Sequence, residues 1–98
     1  MTSLVIDTMP TASSVAVTDE KLTVELSDGR TLSVPLSWFP RLLHGSKAER
    51  QQWEVFGDGY AIEWPELDEH IGVEGLLAGR PSGESQTSFE RWLSRRQR

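Results

Sequence analysis

The stretch Lys21-Leu22-Thr23-Val24-Glu25-Leu26-Ser27-Asp28-Gly29-Arg30-Thr31-Leu32-Ser33-Val34-Pro35 decides the fold. Leu22, Val24 and Leu26 alternate with Thr23 and Glu25, as a strand with one buried face requires. Asp28-Gly29 follows, a strong hairpin signal because glycine accepts positive φ. Leu32 and Val34 carry the alternation onward until Pro35, which lacks a ladder donor and should end the strand. Upstream, Val15 and Val17 alternate with small polar residues, and Thr18-Asp19-Glu20 supplies a turn. Residues 12–34 therefore predict a three-stranded antiparallel meander.

Beyond Pro35 the pattern becomes helical. Ser37 is expected to cap a short helix carrying Pro40 in its first turn, where a missing amide costs nothing. Trp38, Phe39, Leu42 and Leu43 are apolar at helical spacing, and Gly45 is a natural stop. Ser46 and Glu49 form a capping box that starts a second helix over 47–52. Trp53 and Val55, then Tyr60, Ile62 and Trp64, flank Gly57-Asp58-Gly59 and predict a second hairpin. Pro65 to Asp68 reads as a turn. Ile71, Val73, Leu76 and Leu77 predict a strand end and a brief helix closing at Gly79. The fold class is α+β: a meander, short helices, a second hairpin and a closing helix.

Residues 1–11 are expected to be a flexible N-terminal segment, 12–79 the domain, 80–86 a polar linker, and 87–98 an arginine-rich amphipathic helix. In that helix Phe89, Trp92 and Leu93 fall at i, i+3 and i+4 and share one face. Thr87 and Glu90 suggest its capping box. Arg91, Arg95, Arg96 and Arg98 cluster toward the negative end of its dipole. About ten residues are too few to hold a helix in water. The apolar stripe must therefore be covered by this chain, a second copy or a partner. Docking against the acidic stretch 54–74 is favoured by charge, and the domain is expected to stay folded without residues 84–98.

Composition narrows the function. The chain of 98 residues has no cysteine, which removes disulfides and thiolate metal sites. Leu4-Val5-Ile6 is broken by Asp7 and follows no basic region, unlike a signal peptide. No apolar run approaches the roughly 20 residues that span a bilayer. A soluble, cytoplasmic protein is expected, with no membrane partner. Residues 1–80 carry thirteen acids against six bases, a charge of −7, and Glu54 to Glu74 holds seven carboxylates with no Lys or Arg. Such a body repels phosphate backbones, so nucleic-acid binding by the main domain is disfavoured.

Chemical constellations are few. Glu63, Glu66, Asp68, Glu69 and His70 could ligate a divalent ion, but strand alternation and the lack of a second histidine leave no fixed ligand set. No metal or cofactor is expected. Glu63 with Asp68 could act as an acid–base pair only inside a cleft. His44 precedes Gly45 and suits a helix C-terminus. No Ser-His-Asp order, phosphate loop or dinucleotide fingerprint occurs, so no catalytic residue is assigned. Trp38, Trp53 and Trp64 are expected to give a small core its packing area, Trp53 and Trp64 against Leu22, Val24 and Leu32. Arg41 and Arg50 should pair with the carboxylates of 54–74, or the two could form a functional surface with Trp38.

Several of these phrases occur together in one family. Val34-Pro35-Leu36-Ser37-Trp38-Phe39-Pro40-Arg41-Leu42, Glu49-Arg50-Gln51-Gln52-Trp53-Glu54, Ile62-Glu63-Trp64-Pro65-Glu66-Leu67-Asp68-Glu69 and Val73-Glu74-Gly75-Leu76-Leu77-Ala78-Gly79 resemble the bacterial "domain of unknown function 2442" group. His70 departs from the acid usual there. The resemblance implies a compact α+β domain without an assigned activity, often encoded beside a small gene of the toxin–antitoxin kind. Some relatives add a helix-turn-helix DNA-binding domain, for which residues 80–98 are too short. The expected function is a non-catalytic protein-binding module, antitoxin-like or adaptor, with a protein partner or self-association. Its partner-binding residues are expected to be Phe89, Trp92, Leu93, Arg91, Arg95, Trp38 and Arg41. The alternatives are an enzyme using the acids near Glu63–Asp68 and a nucleic-acid-associated regulator acting through the arginine tail.

Overall fold

The computed structural model describes residues 9–96, so most of the N-terminal segment, residues 1–8, and Arg98 lie outside the described residues. Strands β1 (Ala12–Val17), β2 (Lys21–Leu26) and β3 (Thr31–Pro35) form the expected antiparallel meander in the order β1-β2-β3. Val24 pairs with Val15 on one side and Leu32 on the other, which places the apolar positions of all three strands on one face. Leu22, Val24 and Leu26 are buried. Both turns are made as the sequence requires. The Thr18 hydroxyl accepts from the Glu20 and Lys21 amides, and Gly29 sits at φ +94°.

After β3 the chain makes a 3-10 turn over Leu36–Trp38, then helix α1 (Pro40–His44) and helix α2 (Lys47–Arg50). Ser37 lies inside the 3-10 turn rather than capping α1. Phe39 precedes α1 without any side-chain cap, and Pro40 at the helix start removes one of the amides that would have no intrahelical partner. The Ser46–Glu49 capping box of α2 is complete in both directions.

Strands β4 (Glu54–Phe56) and β5 (Ala61–Trp64) form the second hairpin around Gly57–Gly59. Here the architecture exceeds the expectation. A turn over Pro65–Leu67, closed by Asp68 at φ +53°, sends the chain back as a full strand, β6 (Glu69–Gly72). The second sheet is thus a three-stranded meander too, ordered β4-β5-β6. Helix α3 (Val73–Leu77) follows directly, and helix α4 (Gln86–Arg96) forms the tail. Ser85 caps α4 by accepting from the Ser88 amide, so the Thr87–Glu90 box is not the one used.

One apolar cluster joins these parts: Leu22, Val24 and Val34 from the first sheet, Leu36, Phe39 and Leu42 from the connection, Ile62, Trp64 and Ile71 from the second sheet, and Trp92 from α4. Trp64 is fully buried, and its indole nitrogen donates to the Arg50 carbonyl at 3.1 Å. Trp53 is only half-buried at the margin of this core. The two sheets meet closely at Gly59, where a Cβ would lie 2.7 Å from that of Thr11.

Candidate partner-binding face

Most residues expected to bind a partner are engaged by this chain. The Trp92 ring is buried, and its nitrogen donates to the Leu67 carbonyl at 2.9 Å. The guanidinium carbons of Arg41 and Arg96 lie 5.5 and 4.8 Å from its centroid, and Phe89 stacks on it at 5.7 Å. Phe89 and Leu93 are half-buried against the core. Phe89 also packs on His44, with ring centroids 5.0 Å apart. Arg91 and Arg95 are exposed on the outer side of α4. Trp38 is half-buried, and its carbonyl accepts from the Ser82 amide at 2.9 Å.

Arg41 ties the tail segment to the domain. Its Nε lies 3.0 Å from both Glu84 oxygens, while Nη1 reaches the Asp68 carbonyl at 2.8 Å and the Asp68 carboxylate at 3.3 Å. Hydrogen bonds from Arg41 hold the Glu84 carboxyl below its ordinary range. Arg50 departs from expectation. It is buried, pairs with Asp19 rather than the 54–74 stretch, and donates to the Leu42 and Leu43 carbonyls. Arg50, not His44, thereby satisfies the end of α1. The tail packs on the acidic stretch through Trp92 and Leu67, but its ion pair goes to Glu49 rather than to a carboxylate of 54–74, through a two-pronged Arg96 contact at 2.8 and 3.0 Å.

That last pair has a pH consequence. Arg96 and the Ser46 amide pull the Glu49 carboxyl from 4.5 down to about 2. A depressed carboxylate stabilises the fold above its unfolded pKa and loses that contribution as pH falls through the folded one. The contribution of this pair to the exchange protection of α4 amides is therefore expected to be fully present above pH 4.5 and to be lost as pH falls toward 2. Glu49→Gln should show the loss already at neutral pH. Unchanged protection in Glu49→Gln would remove this pair from the docking account.

The acidic cluster of residues 63–70 does not converge. Glu63 and His70 are cross-strand partners on the outer face of the second sheet, with Nδ1 and Oε2 3.6 Å apart. Glu69 lies on the other side of β6, facing inward like buried Ile71. Burial raises its carboxyl, and its Oε2 has no hydrogen-bond partner among the described residues. Glu66 and Asp68 are exposed in the turn. Among the described residues, no group of three His, Asp or Glu side chains is arranged to hold a metal ion.

A different surface stands open. Register places Phe56, Ala61 and Gly72 in one row across β4, β5 and β6, and Glu54, Glu63 and His70 in the next. Both rows lie on the outer face, because Ile62, Trp64 and Ile71 fill the inner one. Ala61 and Gly72 offer almost no side chain, so the first row leaves a groove of about 600 Å³ beside Phe56, Tyr60, Met9, His70 and Glu74. Phe56 and Tyr60 are 54% and 57% exposed, and Phe56 meets His70 edge-on at 5.5 Å. Sequence reading missed this face because it assigned Val55 and Tyr60 to a packed hairpin and paired no strand with β5 on its far side. The available signal was Gly72, a side-chain-free position one residue beyond buried Ile71.

Two antiparallel meanders, joined by short helices and closed by a docked tail helix, define a small α+β domain whose second sheet has an open, acid-edged outer face. Residues 12–82 match the family described as "Protein of unknown function (DUF2442)", and the chain belongs to that family. A crystal structure of a protein of unknown function from Rhodospirillum rubrum is similar at TM-score 0.69 and 25% identity, over 81% of this chain and 98% of that one. The solution structure of an uncharacterized protein from Chromobacterium violaceum is similar at TM-score 0.64 and 20% identity, over 83% and 75% of the two chains. No curated protein matches the sequence. Among the described residues, no helix is long and apolar enough to cross a membrane.

Proposed function

We propose that this protein is a non-catalytic protein-binding module of the cytoplasm, an antitoxin-like or adaptor subunit that receives its partner on the outer face of the second sheet. The observation that carries the reading is the exposed Phe56–Tyr60–Met9 cluster over the Ala61–Gly72 floor. Exposed aromatics beside a groove are the usual anchors of a protein interface. The acids of 63–70 point to different sides of the second sheet and its turn, an arrangement that favours binding over catalysis. The arginine tail supports a nucleic-acid role less well, since Arg96 is committed to Glu49 and only Arg91 and Arg95 stand free of ion pairs among the described tail arginines.

The test places a photo-activated cross-linking residue at position 56, and in a control at position 91 on the exposed side of α4, inside bacterial cells. A partner identified by mass spectrometry is then made recombinantly. Phe56→Ala and Tyr60→Ala are each expected to weaken its binding about 30-fold, the effect of losing about 2 kcal/mol at an interface anchor. Cross-linking only from position 91, or unchanged affinity in both variants, would refute the assignment.

A further inference from the structure

The chemistry of the open face specifies what kind of segment it takes. We infer that the groove over Ala61 and Gly72 receives a basic, extended segment of the partner, with one lysine or arginine laid across its floor; this rests on the protein-binding reading above.

The floor is apolar and flat, because the row Phe56, Ala61, Gly72 carries one large side chain and two minimal ones. A long aliphatic stem fits such a channel, and lysine and arginine are the side chains that bury a stem while keeping a charged head in water. Phe56 and Tyr60 form the wall, and aromatic faces attract cations. Carboxylates edge the channel: Glu74 in its lining, and Glu54 and Glu63 in the neighbouring row two residues along β4 and β5. No Lys or Arg occurs between residues 54 and 74 to neutralise them. Adjacent side chains on one side of an extended strand are also two residues apart, so alternate basic residues of a bound segment would meet both rows.

A second copy of this chain is the poorer occupant. Apposing two such faces would bring Glu54, Glu63 and Glu74 of each against their counterparts, and like charges held together oppose association. A membrane surface is poorer still, since its anionic headgroups would face the same acids.

The probe is the blocked peptide acetyl-Val-Lys-Val-Lys-Val-Lys-amide, titrated into the isotope-labelled full chain and followed by amide shifts, with the glutamate counterpart as control. Shifts at Phe56, Ala61, His70 and Gly72 are expected to saturate with a Kd below about 1 mM. Affinity should fall about tenfold in Phe56→Ser and in the double variant Glu63→Gln/Glu74→Gln, and fall again between ~20 and ~200 mM salt, where screening of exposed charges becomes strong. The same spectra report that each variant is folded. Absent shifts, shifts centred elsewhere, or equal binding of the glutamate peptide would overturn the inference. So would binding that appears only after residues 1–8 are removed, which would give the groove to that segment. A dimer that Phe56→Ser converts to monomer in sedimentation would give it to a second copy. Cross-linking from position 56 with failure of the lysine peptide would leave the module reading intact and remove only the basic segment.

Discussion

Trp64→Ala is expected to unfold the protein or to leave it near its unfolding midpoint in water. The ring is fully excluded from solvent and lies in the cluster that joins both sheets. Truncating a buried tryptophan costs about 3–5 kcal/mol through lost transfer energy and the cavity left behind. A further penalty arises because the Arg50 carbonyl loses the indole donor. Domains of this size hold only about 5–15 kcal/mol in total. Trp64→Phe keeps most of the apolar area and is expected to fall between wild type and Trp64→Ala, losing the hydrogen bond, about 1–3 kcal/mol, together with the smaller cavity left by the missing part of the indole. Urea denaturation followed by circular dichroism measures both. A Trp64→Ala protein with an unshifted midpoint would refute the shared core.

The second large effect is expected at Trp92. The sequence suggests a tail helix separable from the domain, because the family phrases stop near Gly79. The structure changes that expectation. Trp92 is 3% exposed, belongs to the same cluster as Leu22 and Trp64, and donates to Leu67 in the turn before β6. Trp92→Ala is therefore expected to cost about 3–5 kcal/mol, like any other large core truncation. Deleting residues 84–98 should cost at least as much, since it also removes Glu84 from half-buried Arg41. A truncated chain with a wild-type urea midpoint would restore the separable-anchor view. Arg91→Ala, on the exposed side of α4, should change stability by less than about 0.5 kcal/mol.

The first meander was legible because period-two alternation over 15–34 admits one register, and Asp28-Gly29 fixes the turn between its last two strands. The capping box at Ser46 was legible for a similarly local reason: both partners are three residues apart. Strand β6 was not, because Glu69-His70-Ile71-Gly72 has only one large apolar residue and ends in a glycine. Its strand character comes from pairing with β5. The outer face was hidden for the same cause, since Phe56, Ala61 and Gly72 become neighbours only through that pairing. Charge gave the sign of the surface but not its partners. Arg50 and Arg96 found Asp19 and Glu49 rather than the denser acids of 54–74, because helix geometry, not local charge density, sets which carboxylate a guanidinium can reach.

The contacts that hold the tail have a kinetic meaning as well. Within each sheet, consecutive strands pair across short turns, whereas the tail bonds join residues 25, 43 and 47 positions apart. Loop-closure entropy must be met before such distant contacts are rewarded, which favours their forming late. Stabilisation that arises after the folding barrier acts on the rate of escape from the native state. Weakening the Trp92 or Arg96 contacts should therefore accelerate unfolding while leaving refolding nearly as fast, making the tail a determinant of how long each molecule stays folded.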